Sequence, residues 1–241
     1  MQYKYSLFER MKAWVELFAK REDIVMTDSR DEPVPASKVL TLGDPRDLGT
    51  RFPEDARTFA AACDNFVFSY RMRKDVDADP DLVEACTGFL FLTLDGAPDR
   101  GTYNTYMVLD DQQVDPDLLS MLDVDAIGTG LAAWYVLDEP SFIIWDLEDC
   151  VRFRSLTEYL TEGAKRAFAY NPCWQTLSTR SKEAPLAQRS VSKTTPIPEL
   201  RERLVRRGAE SDMADDLIAW LGTDVALLLP SSPMANSQSS S

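Results

Sequence analysis

The residues with the most chemical potential in this chain are its carboxylates. Asp110-Asp111, Asp138-Glu139, and Asp146 with Glu148-Asp149 stand as close pairs. Two or three acids in one cleft are enough for glycosidic acid/base work or for holding a magnesium ion. An acidic chain also supplies such pairs as solvated side chains at strand ends and turns, and each pair here falls at such a place. No catalytic or metal-ligating residue is therefore assigned. Histidine is absent from all 241 residues, which removes Ser-His-Asp and Cys-His catalysis and the commonest metal ligand. The four cysteines, at 63, 86, 150 and 173, form no CxxC pair. Three of the four lie among apolar or aromatic neighbours, which suits buried free thiols better than zinc ligands or disulfides. Neither GxGxxG nor GxxxxGK[ST] occurs, and Gly128-Thr-Gly130 precedes a strand signal, so it reads as a turn. No cofactor is expected.

Charge narrows the possible partners. The formal net charge is −14. Residues 1–175 carry 18 basic and 32 acidic groups, residues 176–210 carry 8 and 4, and residues 211–241 carry four aspartates and no base. Such a body repels nucleic acid and anionic membrane, and it attracts a basic protein surface. Simple solubility is the plainer account of the same charge. Arg201, Arg203, Arg206 and Arg207 form a basic cluster, expected to be a solvated face or to dock its helix on the acidic body.

Tyr103, Tyr106, Trp134, Tyr135 and Trp145 lie on predicted strands. Alternation sends some to the core and others to the opposite face. An outward set beside Asp110, Asp111, Asp138, Glu139 and Asp146 would combine aromatic anchors with acidic complementarity. The expected partner-binding residues are thus Tyr103, Tyr106, Asp110, Asp111, Trp134, Asp138, Glu139 and Asp146. Coverage of both sheet faces is the competing arrangement.

The elements that must position these residues follow from periodicity. Ser6 and Glu9 have capping-box spacing, and Leu7, Phe8, Met11, Trp14, Val15 and Phe18 follow at helical period. This helix should end near Arg21. Lys38–Leu42 suggests a short strand, and Pro53 with Glu54 and Asp55 opens a second helix. Phe66, Phe68 and Tyr70 alternate as a strand, and Gly88–Leu94 ends at the Asp95-Gly96 turn pair. A strand over Thr102–Leu109 precedes a short helix capped at Asp115-Pro-Asp117 and running through Leu122. Strands at Leu131–Leu137 and Ser141–Leu147 follow. Short links between strands imply an antiparallel sheet.

Ser155-Leu-Thr-Glu158 caps another helix. Gln175–Thr195 is polar and aperiodic, and two short helices split by Gly208 cover Pro198–Arg207 and Ser211–Leu221. Leu200, Leu204, Leu217, Trp220 and Leu221 could pack that pair on the main domain. Charges interrupt the N-terminus before any run of signal-peptide length. No stretch approaches the roughly 18 apolar residues of a membrane span. A cytoplasmic location is expected.

Arg51-Phe-Pro-Glu-Asp-Ala-Arg-Thr-Phe59, a short helix, and Asp64-Asn-Phe-Val-Phe-Ser-Tyr70 resemble the "LPxDLrxF … NGxxFxY" opening of the SUKH superfamily. These domains are known from yeast cell-wall regulators and bacterial immunity proteins. Phe153-Arg-Ser-Leu-Thr-Glu-Tyr-Leu160 resembles the family's late "SFxEYL" helix, with Trp174 at the place of a trailing tryptophan. Phe66 stands where the family has glycine. The resemblance spans residues 40–175. It implies an α+β domain whose curved antiparallel sheet has helices packed around it, and it implies partner binding without an active site. Bacterial members neutralise a cognate toxin, and an acidic one would suit a basic, nuclease-like toxin.

Together these readings predict a SUKH-like domain over residues 1–175, a linker over 176–194, a C-terminal helical hairpin over 195–230 and a disordered tail over 231–241. The expected function is a cytoplasmic immunity protein that binds and occludes a toxin, with no contact to nucleic acid or membrane. A metal-dependent hydrolase using the acid pairs, or a regulatory scaffold, is the alternative.

Overall fold

In the computed structural model the described residues are 3–27, 32–50, 52–72, 88–94, 108–109, 112–113, 119–122, 132–136, 141–145, 150–168 and 195–229. Their elements are mixed: five α-helices with antiparallel strands, the α+β class expected.

Helix α1 (Leu7–Phe18) begins at a complete capping box. The Glu9 N–H donates to Ser6 Oγ at 3.2 Å, and the Ser6 N–H donates to the Glu9 carboxylate at 2.7 Å. Met11, Trp14, Val15 and Phe18 are buried, the stripe that helical spacing predicts. Strand β1 (Ile24–Thr27) follows. Residues 36–38 make a single 3-10 turn and only Thr41–Leu42 is strand, β2, a shorter extended piece than Lys38–Leu42 suggested. Pro53 precedes α2 (Glu54–Ala60), which buries Ala56, Phe59 and Ala60.

Strand β3 (Asn65–Met72) is the spine of the first sheet. Strand β4 (Gly88–Thr93) pairs with residues 65–70, leaving the other edge of β3 to β2, opposite 66–67, and β1, opposite 69–72. Phe66, Phe68 and Tyr70 are buried on one face while Val67, Ser69 and Arg71 are half-buried, a period-two pattern. Gly88 lies opposite Tyr70. A Cβ at Gly88 would stand 2.3 Å from the Tyr70 ring, so glycine is required there by close approach.

The second sheet has the order β10-β9-β8-β7, formed by Cys150–Phe153, Ser141–Trp145, Ala132–Val136 and Leu119–Leu122. Val108–Leu109 and Gln112–Gln113 make a small antiparallel pair, β5 and β6. The helix expected through Leu122 is corrected: residues 119–122 are strand, paired with 133–136. Four residues cannot sustain a helix alone, and a ladder partner overrides local propensity. The Asp95-Gly96 and Asp115–Asp117 turns lie outside the described residues.

Helix α3 (Leu156–Lys165) starts at Ser155, whose Oγ accepts the Glu158 N–H at 3.0 Å. Its end turns sharply, with Ala167 and Phe168 at φ 57° and 47°. The Phe168 N–H returns to the Gly163 carbonyl at 2.7 Å, and the Tyr70 hydroxyl donates to the Ala167 carbonyl at 2.8 Å. This reversal carries the buried Phe168 ring onto Trp14 and Phe68, at 5.8 and 5.7 Å between centroids.

Helices α4 (Ile197–Arg206) and α5 (Ser211–Leu221) form the hairpin, with Gly208 at φ 94° between them. A 3-10 stretch over Gly222–Leu228 buries Val225 to Leu228. Leu200, Leu204, Leu217, Trp220 and Leu221 are buried in the same core cluster as α1, β3 and α3. Polar contacts fasten the joint. The Tyr5 N–H donates to Asp216 at 2.7 Å, Arg21 Nη1 to the Leu227 carbonyl at 2.6 Å, and the Trp220 indole N–H to Thr161 Oγ1 at 2.7 Å. No helix among the described residues is long and apolar enough to cross a membrane.

Candidate functional site

Tyr103, Tyr106, Asp110, Asp111, Asp138, Glu139 and Asp146 lie outside the described residues. Trp134 does not. It is the central residue of β8, paired with Met121 of β7 and Ile143 of β9, and Ile143 in turn pairs with Arg152 of β10. Directly paired residues share a sheet face. The neighbouring register row runs through Ser120, Tyr135, Phe142 and Phe153. Phe153 is buried with its ring 5.5 Å from Tyr159 of α3, whereas Arg152 is exposed. Trp134 therefore occupies a position on the face of Arg152, and Tyr135 one on the face of Phe153. Trp145, opposite Ala132, belongs with Trp134.

The chain that builds this sheet is also the most one-sided in charge. Residues 101–151 contain eleven Asp and Glu and no Lys or Arg. Pairwise inspection of the acids hides this; the signal is the missing bases.

A second feature grows from the two motif helices. The Asp55 carboxylate, in the first turn of α2, accepts from the backbone N–H of Thr157 at 2.9 Å and from its hydroxyl at 3.1 Å. Its other oxygen accepts from Ala56 N–H at 2.9 Å. Asp55 thus caps α3 from another helix, satisfying donors that a helix start leaves open. Beside it, Leu7, Phe8, Glu54, Asp55, Thr58 and Phe59 line an open groove of about 440 Å³ between α1 and α2. The half-buried Phe8 ring meets Phe59 and Phe66 edge-on, at 5.7 and 6.2 Å. Spacing along the chain reveals neither the cap nor the groove, because both depend on contacts between distant segments.

The arginine cluster is largely absorbed within the hairpin. Arg201 forks onto Asp215 at 2.5 and 3.1 Å, and Arg206 meets Glu202 at 3.0 Å. Arg203 stands 4.0 Å from Glu199. Arg207 is half-buried, and desolvation holds its guanidinium below the usual arginine range. Arg206 stays exposed, as a solvated face would have it, while Arg201 docks α4 on Asp215 of α5 and not on the acidic body. Arg10 is buried under the Tyr3 ring at 3.8 Å with Trp220 at 5.2 Å, a cation held by aromatic faces.

Cys63 is a free, buried thiol, and burial followed by the charge of Asp64 pushes it up to about 12. That is a structural cysteine, not a nucleophile. Among the described residues no group of three or more Cys, Asp or Glu side chains could hold a metal ion.

No family model, curated protein or solved structure matches the chain significantly. The likeness to the SUKH superfamily rests on the motifs alone.

Proposed function

We propose that this is a binding protein of the immunity type, which neutralises a cognate toxin by docking on it and covering its working surface. The observation that carries the reading is the coincidence of Trp134, on the sheet face away from Phe153, with a chain stretch of eleven acids and no base. Large aromatic residues anchor interfaces, and an acidic field speeds encounter with a basic partner. Support also comes from the motif segments. Phe59, Phe66, Phe68 and Tyr159 of the SUKH-like motifs are buried in one core, so those motifs serve to build a scaffold. The protein would act in the cytoplasm, a reducing compartment that suits the free Cys63 thiol.

The test is to capture the tagged protein from its native cells and identify what is retained. One stoichiometric, basic and toxic partner is expected, with an association rate that falls as salt rises. Trp134→Asp should weaken that complex at least tenfold while leaving thermal unfolding in place. Turnover of a substrate by the purified protein, or equal binding by the Trp134 variant, would defeat the reading.

A further inference from the structure

We infer that the groove between α1 and α2 is a second docking point, built to receive an apolar side chain flanked by a cation from the partner protein. The inference rests on the binding reading above and adds where the partner's basic-apolar segment is held.

The floor is apolar and already in place. Phe59 is buried, and Phe8 is held against it and Phe66 by edge contacts. The polar wall is fixed too. Both Asp55 oxygens are occupied by N–H and O–H donors from Ala56 and Thr157, so this carboxylate stays in place without needing an outside partner. A preformed pocket spares the ordering cost that weakens adaptable sites. Its volume of about 440 Å³ is far more than one solvent molecule needs and lies within the usual span of ligand pockets.

The rim supplies the chemistry. Glu54 is exposed at the mouth, and among the described residues its carboxylate makes no hydrogen bond or ion pair. Thr58 stands beside it, also exposed. An apolar floor with one uncommitted carboxylate suits an aromatic or aliphatic side chain next to Arg or Lys. An anionic or purely polar ligand would find neither a cation nor a set of donors among the lining side chains. With a net charge of −14 behind it, the groove draws basic segments.

The probe is the blocked tripeptide Arg-Phe-Arg amide, titrated into the full-length isotopically labelled protein and followed by amide chemical shifts. Saturable shifts centred on Leu7, Phe8, Thr58 and Phe59 are expected. Glu54→Gln should weaken binding about fivefold, the scale of one exposed charge contact. Thr58→Trp, which fills the groove from an exposed helix position, should abolish it while the remaining spectrum persists. If Thr58→Trp does not fold, Glu54→Gln decides alone. Shifts that do not saturate, that lie elsewhere, or that are unchanged in Glu54→Gln overturn the inference. The binding reading itself survives that failure if the native partner is still captured, and falls only if it is not.

Discussion

Asp55 and Thr157 are 102 residues apart in the chain, yet one carboxylate oxygen of the first accepts both the backbone N–H and the hydroxyl of the second. The contact ties the start of α2 to the start of α3 and makes the two motif helices a single unit.

That tie has a measurable worth. Asp55→Ala removes an acceptor shared by two donors and should cost about 2 kcal/mol in urea unfolding, the scale of a lost cap plus a hydrogen bond. Asp55→Asn, which keeps an oxygen, should cost roughly half as much. In a double-mutant cycle with Thr157→Val, a coupling of about 1 kcal/mol is expected. Strict additivity would mean that the contact contributes nothing.

The capping box of α1 should leave a pH signature. Hydrogen bonds from the Ser6 backbone N–H, and then its hydroxyl, hold the Glu9 carboxyl below the usual range. A depressed folded value means the contribution is complete above the ordinary glutamate value near pH 4.3. It is lost as pH falls through the lower folded value. Glu9→Gln should therefore destabilise by about half a kcal/mol at pH 7, as befits an exposed and screened charge. The gap between wild type and variant should shrink as pH falls below that ordinary value. A gap that stays constant across this range would contradict the assignment.

Gly163→Ala tests the turn after α3. On helix propensity alone the change should stabilise by up to about 1 kcal/mol. A Cβ there would sit 2.1 Å from the Phe168 ring, which is buried against Trp14, Phe68 and Tyr159. Displacing such a ring costs roughly 1–3 kcal/mol or more, so the net effect should be destabilising. A rise in melting temperature would show that Phe168 is not held there.

Cys63 should resist labelling. With its thiol at about 12, little thiolate exists at pH 8. Iodoacetamide followed by peptide mapping should leave Cys63 unmodified in the native protein and modify it in urea. Equal rates in the two states would place the thiol at the surface.

Local rules reached some elements and missed others for identifiable reasons. Helices α1 and α3 announce themselves through Ser6-to-Glu9 and Ser155-to-Glu158 spacing, and β3 through alternating Phe66, Phe68 and Tyr70. Strand β1 has only Ile24–Thr27 and depends on β3 for its hydrogen bonds, so it carries no pattern of its own. Residues 119–122 show the reverse error, since Leu-Ser-Met-Leu favours helix until β8 lies alongside. Val225–Leu229 is a short apolar run without period, yet all five residues are buried in the core. For the candidate site, Trp134 was legible as an aromatic on a strand, but its face follows only from the register through Ile143 to Arg152. Asp55 is legible as a favourable charge at a helix start, whereas its second duty to Thr157 is purely tertiary.

The bond from Arg21 to the Leu227 carbonyl closes a span of 206 residues, and Tyr5 meets Asp216 across a similar one. A growing chain makes α1 some 200 residues before the surface that covers it. At roughly 5–20 residues per second of synthesis, Trp14 and its neighbours wait on the order of 10 to 40 seconds for their final cover. Protection of the nascent α1 during that interval, by a chaperone or by transient packing on β3 and α3, is a burden this arrangement places on the cell that makes the protein.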